Sequence, residues 1–367
     1  MATSTRSTVE LQVRTIPRTM QAAVYRGRNH VRLEEVPVPE IGAGELLVQV
    51  HSCGICGTDL KKIATGSHSA PRIFGHETSG IVAAVGANVT RFEPGDRVIV
   101  FHHIPCGKCF YCRKRVFAQC PVYKKVGASA GFEPSGGGFA EYVRVMDWIV
   151  EKGVVRIPKG VSLEQACFVE PVNTCLKAIE SLRLEADDRV LVIGAGPIGT
   201  ILAWLASRTG AQVVSSDLFP QRLKIAQGFG VAETINAGLT NPVDRLRELT
   251  DGRGADAVVL AVGGNALIRT AMDAARPGGK VMLFAQTVHS DGSFDPAAIC
   301  VDEKALIGSY SASVDLQDES ARLVFSREAD LEKLISHRFP LSSAVEALNL
   351  AANPQPDSMK IIIQPQG

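Results

Sequence analysis

Apolar positions in the first half of the chain come in short β-type bursts. The segments 46-LLVQV-50, 80-GIVAAVG-86, 97-RVIVF-101 and 140-AEYVRV-145 are separated by Gly, Pro and Asp, as in 93-EPGDR-97. This texture predicts an irregular all-β domain. Near Pro171 the pattern changes. From residue 189 onward, strands at 189-RVLVI-193 and 212-QVVSS-216 alternate with helices over about 197–208 and 219–227. Further strands are predicted at 256-DAVVLAV-262 and 279-GKVMLF-284, with a helix between them, and a last one near 305-ALIGSY-310. Such alternation implies βαβ crossovers and a buried parallel sheet. In the tail, 342-SSAVEALNLA-351 reads as helix and 360-KIIIQ-364 as strand. There is no internal repeat.

Composition narrows the function more than the fold. A chain of 367 residues is long enough for two domains with substantial cores. Its formal net charge of +1 gives no support to binding nucleic acid or a membrane surface, which needs a concentrated basic patch. No apolar run reaches the roughly 20 residues that cross a bilayer. Residues 1–19 lack the apolar core of a signal peptide and read as a disordered tail, although their arginines and single acid, Glu10, also suit a weak transit peptide. A cytoplasmic protein is expected. Its nine cysteines then read as metal ligands or free thiols rather than disulfides.

After the 189–193 strand comes Gly194-Ala195-Gly196-Pro197-Ile198-Gly199, a G-x-G-x-x-G that closes a strand and opens a helix. Gly194 permits a tight turn, Gly196 leaves room for a pyrophosphate, and Gly199 lets helix and strand pack closely. The helix N-terminus offers free N–H groups to the phosphates. The next strand ends at Asp217, where a carboxylate can accept hydrogen bonds from the adenosine ribose and repel a 2′-phosphate. NAD is therefore expected over NADP, with nearby Arg222 as the countersignal. The competing role for Asp217 is a cap on the following helix.

Cys106, Cys109, Cys112 and Cys120 form C-x2-C-x2-C-x7-C, a spacing at which four thiolates from one loop can converge on a tetrahedral zinc ion. With every ligand position filled by protein, that ion would be structural. A second, dispersed set comprises Cys56, His76, Glu77 and Glu170. A catalytic zinc takes about three protein ligands and keeps one place open, and ligands from separate segments can wall a cleft around it. Each of the four alone reads equally well as a buried thiol, a satisfied histidine or a surface acid.

These motifs together (54-GICGTD-59, 75-GHE-77, the four-cysteine lobe, 170-EP-171 and 194-GAGPIG-199) resemble those of the zinc-containing medium-chain dehydrogenase/reductase family, over nearly the whole chain from Met20. The resemblance implies an α/β protein. A GroES-like irregular β catalytic domain would span 20–170 and 311–367, with the zinc lobe at about 103–121. A Rossmann domain with a doubly wound parallel sheet would span 171–310. It implies two zinc ions and NAD per chain, a small-molecule alcohol substrate, and a homo-dimer or homo-tetramer. Cys56, His76 and either Glu170 or Glu77 would hold the catalytic zinc. Thr58 matches the family's proton-relay hydroxyl, Asp59 its supporting acid, and Thr174 a residue near the nicotinamide. The Glu-Pro pair resembles the sorbitol (polyol) branch, and 103-HIPC-106 resembles threonine 3-dehydrogenases, so His103 either lines the substrate pocket or faces solvent. Cys175 reads as packing. Many relatives carry a histidine where this chain has Lys61, followed by Lys62, which leaves four readings: a relay ending at Thr58 and the ribose, a relay role for Lys61, a substrate bearing an acid, or simply a solvated face. Two rivals differ in kind: a non-catalytic protein that binds nucleotide and zinc, and a zinc-free reductase on the same fold.

Overall fold

The computed structural model describes residues 16–126, 136–285 and 294–366. Of the expected tail, residues 1–15 lie outside the described residues. Residues 16–19 are part of the fold, since Ile16 packs on the core and Thr19 opens the first strand.

The first part of the chain forms β1 (Thr19–Gly27), β2 (His30–Pro37), β3 (Leu46–Gly54), β4 (Arg72–Ile73), β5 (Glu77–Val85), β6 (Arg97–Val100), β7 (Tyr142–Val145) and β8 (Val154–Arg156). Then come β9 (Arg189–Ile193), β10 (Gln212–Asp217), β11 (Glu233–Asn236), β12 (Ala255–Leu260), β13 (Ala275–Leu283) and β14 (Ala305–Gly308), followed by β15 (Ile335–Pro340) and β16 (Lys360–Gln364).

Strands β9–β14 make one parallel sheet in the order β11-β10-β9-β12-β13-β14. Its central strand carries Val190, Leu191 and Val192 in succession, all fully buried, because helices cover both faces. The order reverses direction next to β9, and ligands of doubly wound sheets bind at such a switch point, outside the carboxyl ends of the strands. The helices expected here are present at Pro197–Ser207, Pro220–Gln227 and Asn265–Ala274.

The second sheet is mostly antiparallel and runs β15-β16-β3-β5-β6-β8, with β7 also paired to β3; a smaller sheet, β2-β1-β4, accompanies it. Strands from the tail therefore complete the N-terminal sheet. Two pairings position the chemistry. Antiparallel β3 and β5 set Gly54 opposite Glu77 and Cys53 opposite Thr78. On its other side β3 meets β16, with Gly54 opposite Ile362. The end of β3, the start of β5 and the start of β16 thus share one corner.

Candidate metal and dinucleotide sites

Cys56 lies just beyond β3 and caps the helix Gly57–Thr65. Its Sγ accepts from the Thr58 backbone N–H at 3.5 Å, and its own N–H donates to Asp59 Oδ2 at 3.3 Å. This reciprocal cap turns Asp59 inward, where it is fully buried and its Oδ1 lies 3.1 Å from His76 Nδ1. His76 directly precedes β5, so the strand register brings it and Glu77 to Cys56. One ligand atom from each of Cys56, His76 and Glu77 lies within 4.8 Å of the others. A thiolate, an imidazole and a carboxylate at that separation suit zinc. Asp59 leaves Nε2 of His76 for a cation and fixes the ring from behind. Burial resists a charge on His76, but Asp59 and Cys56 outweigh it and hold its pKa well above the ordinary value.

Glu170 falls outside this convergence. It sits in the first turn of the helix Val169–Leu182, and its Oε1 is 3.0 Å from His103 Nε2, off the alignment of a good hydrogen bond. Glu77 instead pairs with the buried Lys360, whose Nζ also donates to the Ile55 carbonyl at 3.0 Å. Burial raises the pKa of both acids, and Lys360 and His76 offset this only in part. Gly54 is required here, since a Cβ on it would lie 2.0 Å from Glu77 Oε2. Lys360 was missed in the sequence; its only signal is an isolated charge opening an apolar strand.

His103 does not face solvent. It is buried, with Nδ1 against the Tyr123 hydroxyl and Ser311 Oγ, and burial lowers its pKa well below the usual range. Of the two lysines, Lys62 rather than Lys61 is turned to the site, with its Nζ 5.8 Å from the centre of the Phe74 ring. Thr58 is half-buried beside Cys56. The Gly136–Gly138 run packs on the segment leading to His76, with the Gly138 N–H donating to the Gly75 carbonyl at 2.8 Å. Phe110 and Tyr111 sit exposed on the cysteine lobe, against one another.

The four lobe cysteines converge within 4.8 Å. Sγ–Sγ separations of 3.4 Å (Cys109–Cys112) and 3.9 Å (Cys106–Cys112) are far too long for disulfides. They bracket the ~3.8 Å edge of a tetrahedron with Zn–S bonds of about 2.3 Å. Backbone N–H groups of Lys108 and Cys109 bring the Cys106 thiol down to about 6, while burial pushes Cys112 up to about 12. Four packed thiols cannot all ionise without a cation, and the lobe's apolar cluster is small: Cys112, Ala118, Cys120 and Tyr123.

At the switch point Gly194 has φ +101°, and a Cβ on Gly199 would stand 1.8 Å from the Gly194 carbonyl oxygen. A Cβ on Gly196 would meet no protein atom within 4 Å, so the backbone there is open to a ligand. Pro197 and Ile198 open the helix behind it. Asp217 is held from two sides: the Ala195 N–H donates to Oδ2 at 2.7 Å and the Phe219 N–H to Oδ1 at 2.9 Å. It closes the turn ahead of the next helix rather than capping it, since Phe219 is the N-cap and its side chain makes no capping bond, and each Asp217 oxygen keeps a lone pair for a ribose hydroxyl. Arg222 lies over the Phe219 ring and reaches the Gln355 carbonyl at 3.4 Å. The helix Val169–Leu182 touches both sites. Glu170 approaches His103, Thr174 lies one turn further with its hydroxyl on the Pro171 carbonyl, and buried Cys175 packs against the Ile198 carbonyl.

Residues 42–159 match the alcohol dehydrogenase GroES-like domain, and residues 197–326 match the zinc-binding dehydrogenase domain. Galactitol 1-phosphate 5-dehydrogenase of Escherichia coli (strain K12) is 31% identical over 94% of this chain and 100% of its own length. The chain belongs to the zinc-dependent medium-chain dehydrogenase family. Sorbitol dehydrogenase of Bacillus subtilis (strain 168) is 27% identical over 96% of this chain and 99% of its own. Among solved structures, alcohol dehydrogenase TADH from Thermus sp. ATN1 superposes with a TM-score of 0.83 at 31% identity, covering 94% of this chain and 99% of that one. The protein is thus a zinc-binding alcohol dehydrogenase with GroES-like and Rossmann-like parts. Among its described residues, no helix is long and apolar enough to cross a membrane.

Proposed function

We propose that this dehydrogenase oxidises a secondary alcohol of a polyol to a ketone, passing hydride to NAD. The observation that carries the reading is the convergence of Cys56, His76 and Glu77 at a corner joined to the glycine turn by one helix. A zinc ion held by Cys56, His76 and Glu77 would supply Lewis acidity, and the dinucleotide would supply the hydride acceptor. Asp59 fixes the tautomer and orientation of His76. Lys360 balances Glu77 and limits its freedom to turn. Thr58, next to Cys56, takes the substrate hydroxyl proton on its Oγ1. Thr174 would border the nicotinamide, and Gly194, Gly196 and Gly199 would leave room for the pyrophosphate. Asp217 favours the free ribose of NAD; Arg222, already engaged with Phe219 and Gln355, is not the phosphate clamp that NADP needs.

A threonine 3-dehydrogenase-like activity is the second reading, favoured by the buried His103 beside Glu170. A homo-dimer or homo-tetramer is part of the proposal. The strand β14 supports it, because it lies at an edge of its sheet among the described residues, and such an edge invites pairing with another copy.

The test is NAD reduction across polyols, threonine and simple alcohols, with zinc measured on the same sample. Cys56→Ser and Glu77→Gln should abolish turnover together with one zinc per chain, while Glu170→Gln keeps both ions. Turnover persisting in protein shown to lack that zinc refutes the reading.

A further inference from the structure

We infer that Tyr123 is a positioning residue for the reaction: through its hydroxyl the cysteine lobe fixes the ring of His103, and His103 in turn holds the carboxyl of Glu170 beside the candidate metal corner. The inference rests on the alcohol dehydrogenase reading above and gives the lobe a part in turnover beyond its own folding.

Tyr123 faces two ways. Its ring belongs to the small apolar cluster of the lobe, with Cys112, Ala118 and Cys120. Its backbone N–H, with that of Val122, donates to the Cys120 thiol. Its hydroxyl leaves the lobe and meets Nδ1 of His103 and Oγ of Ser311. The Tyr123 and His103 rings also pack on one another, with centroids 5.4 Å apart and planes at 37°. Tyr123 is buried, and burial pushes its phenol up, so the hydroxyl keeps its proton and can donate it.

A second brace comes from another part of the chain. Ser311 lies just beyond β14, where the chain leaves the parallel sheet, and its Oγ is 3.3 Å from the same Nδ1. Its φ of +60° is a left-handed conformation that a serine rarely adopts, and the turn is held there by Lys177, whose Nζ donates to the Tyr310 carbonyl at 2.7 Å and the Ser311 carbonyl at 3.3 Å. Lobe, site and returning chain therefore meet on one ring nitrogen.

That meeting sets the tautomer. Burial keeps His103 neutral, so one ring nitrogen carries a proton and the other accepts. With Ser311 donating to the Tyr123 oxygen and Tyr123 to Nδ1, every hydroxyl proton finds an acceptor. The ring proton then sits on Nε2, 3.0 Å from Oε1 of Glu170. The opposite tautomer would turn a lone pair on the carboxylate and repel it. Glu170 is next to the chemistry: after burial, the charges that act on it most are those of His76, Lys360, Asp59 and Lys62, and the His103 ring is 6.1 Å from that of His76. Without the Tyr123 hydroxyl the imidazole is free to take either tautomer, and Glu170 loses the group that restrains it.

The experiment uses zinc-loaded full-length protein as parent, Tyr123→Phe, His103→Leu and the double variant. Phenylalanine removes one oxygen and leaves the ring in the lobe cluster, so both zinc ions should stay bound. Initial rates of NAD reduction are measured with sorbitol, L-threonine and propan-2-ol. For the best of these, Tyr123→Phe should lower kcat/KM about tenfold, as expected for one hydrogen bond, with KM for NAD as in the parent. In the His103→Leu background the same change should leave kcat/KM unaltered, because Tyr123 acts only through His103. A merely structural tyrosine would cost the same in both backgrounds. A readout independent of turnover is 15N NMR of histidine-labelled protein: His103 should carry its proton on Nε2 in the parent, and Tyr123→Phe should move its two ring-nitrogen resonances towards the other tautomer. If Tyr123→Phe does not fold, Ser311→Ala takes its place in both assays. A kcat/KM equal to that of the parent overturns the inference and leaves the dehydrogenase reading intact. So does an equal loss with and without His103, or an unchanged pair of ring-nitrogen resonances. Failure of the zinc-loaded parent to oxidise any of these alcohols counts against the proposed function instead, and the resonances still decide the role of Tyr123.

Discussion

Asp59→Asn isolates the contribution of the carboxylate behind His76. Asp59 is fully buried, and its two oxygens serve two donors, His76 Nδ1 at 3.1 Å and the Cys56 N–H at 3.3 Å. Asparagine matches its volume, so no cavity opens. Its one carbonyl oxygen can accept from only one of the donors, and its NH2 opposes the other. Losing a charge-assisted hydrogen bond costs about 1.5–3 kcal/mol. That is roughly ten- to a hundredfold in an equilibrium constant, the range seen when groups orienting metal-bound histidines are removed. Competition with a chromophoric chelator reads both ions of the chain, and the four-thiolate lobe serves as an internal reference. The expected result is one ion released about ten- to a hundredfold more easily, with kcat reduced, and the lobe ion held as in the parent. A variant that keeps both ions as tightly as the parent would refute the reasoning. Equal weakening of both would also refute it, because the effect would then be a general loss of the fold.

Three other perturbations have defined outcomes. Cys120→Ser should cost one zinc per chain and open the lobe to proteolysis, because the small Cys112–Ala118–Cys120–Tyr123 cluster cannot order it alone; circular dichroism should show the parallel sheet unchanged. Asp217→Gly removes both the ribose acceptor and the brace on the Ala195 N–H, so kcat/KM with NAD should fall about tenfold or more while the NAD-to-NADP ratio drops; an unchanged ratio would exclude Asp217 from cofactor choice. Glu45→Gln should destabilise the protein by about 2 kcal/mol at neutral pH, since Arg144 grips the carboxylate at 2.7 and 2.9 Å and the Gly42 N–H adds a bond at 2.6 Å. Burial opposes ionisation of Glu45, but Arg144 and Gly42 outweigh it, so its folded pKa is depressed. Its stabilisation is therefore complete above the ordinary carboxylate pKa of about 4 and is lost as pH falls through the folded value. The gap between parent and variant in denaturant titrations should close on acidification.

What could be read from the sequence depended on how far apart in the chain the cooperating residues lie. The parallel sheet declared itself through β9, β10, β12 and β13, each holding consecutive apolar residues (190–193, 213–214, 257–260 and 281–283), because strands buried on both faces need no alternation. β11 (ETIN), short and half-polar, did not stand out. In the first half, β1 and β2 escaped notice: β1 interrupts its apolar run with Gln21, and β2 is a largely exposed edge strand. The helix Gly57–Thr65 was hidden because its cap is a cysteine rather than Ser, Thr, Asp or Asn. The lobe cysteines and the glycine turn were legible because fifteen and six consecutive residues contain them whole. The choice between Glu77 and Glu170 was not, since it turns on contacts with Lys360 and His103 that span the chain.

The dispersed candidate metal site nevertheless has a local cause once one pairing is known. If β3 and β5 run antiparallel with Gly54 opposite Glu77, then Cys56, two residues past Gly54, and His76, one residue before Glu77, leave their strands at the same end. Nothing else is needed to bring thiol and imidazole together. The third participant depends on β16, which reaches the same corner from the far end of the chain and delivers Lys360 to Glu77. That lysine needs a glycine at position 54 to reach its acid, because a side chain there would occupy the same space. The 54-GICGTD-59 segment therefore offers more than a proposed ligand and relay hydroxyl. On the proposed reading, its first glycine makes room for the pair that restrains one ligand, its cysteine is another, and its aspartate orients the third. Each function constrains a different residue of one turn, which is why so short a segment identifies so large a site.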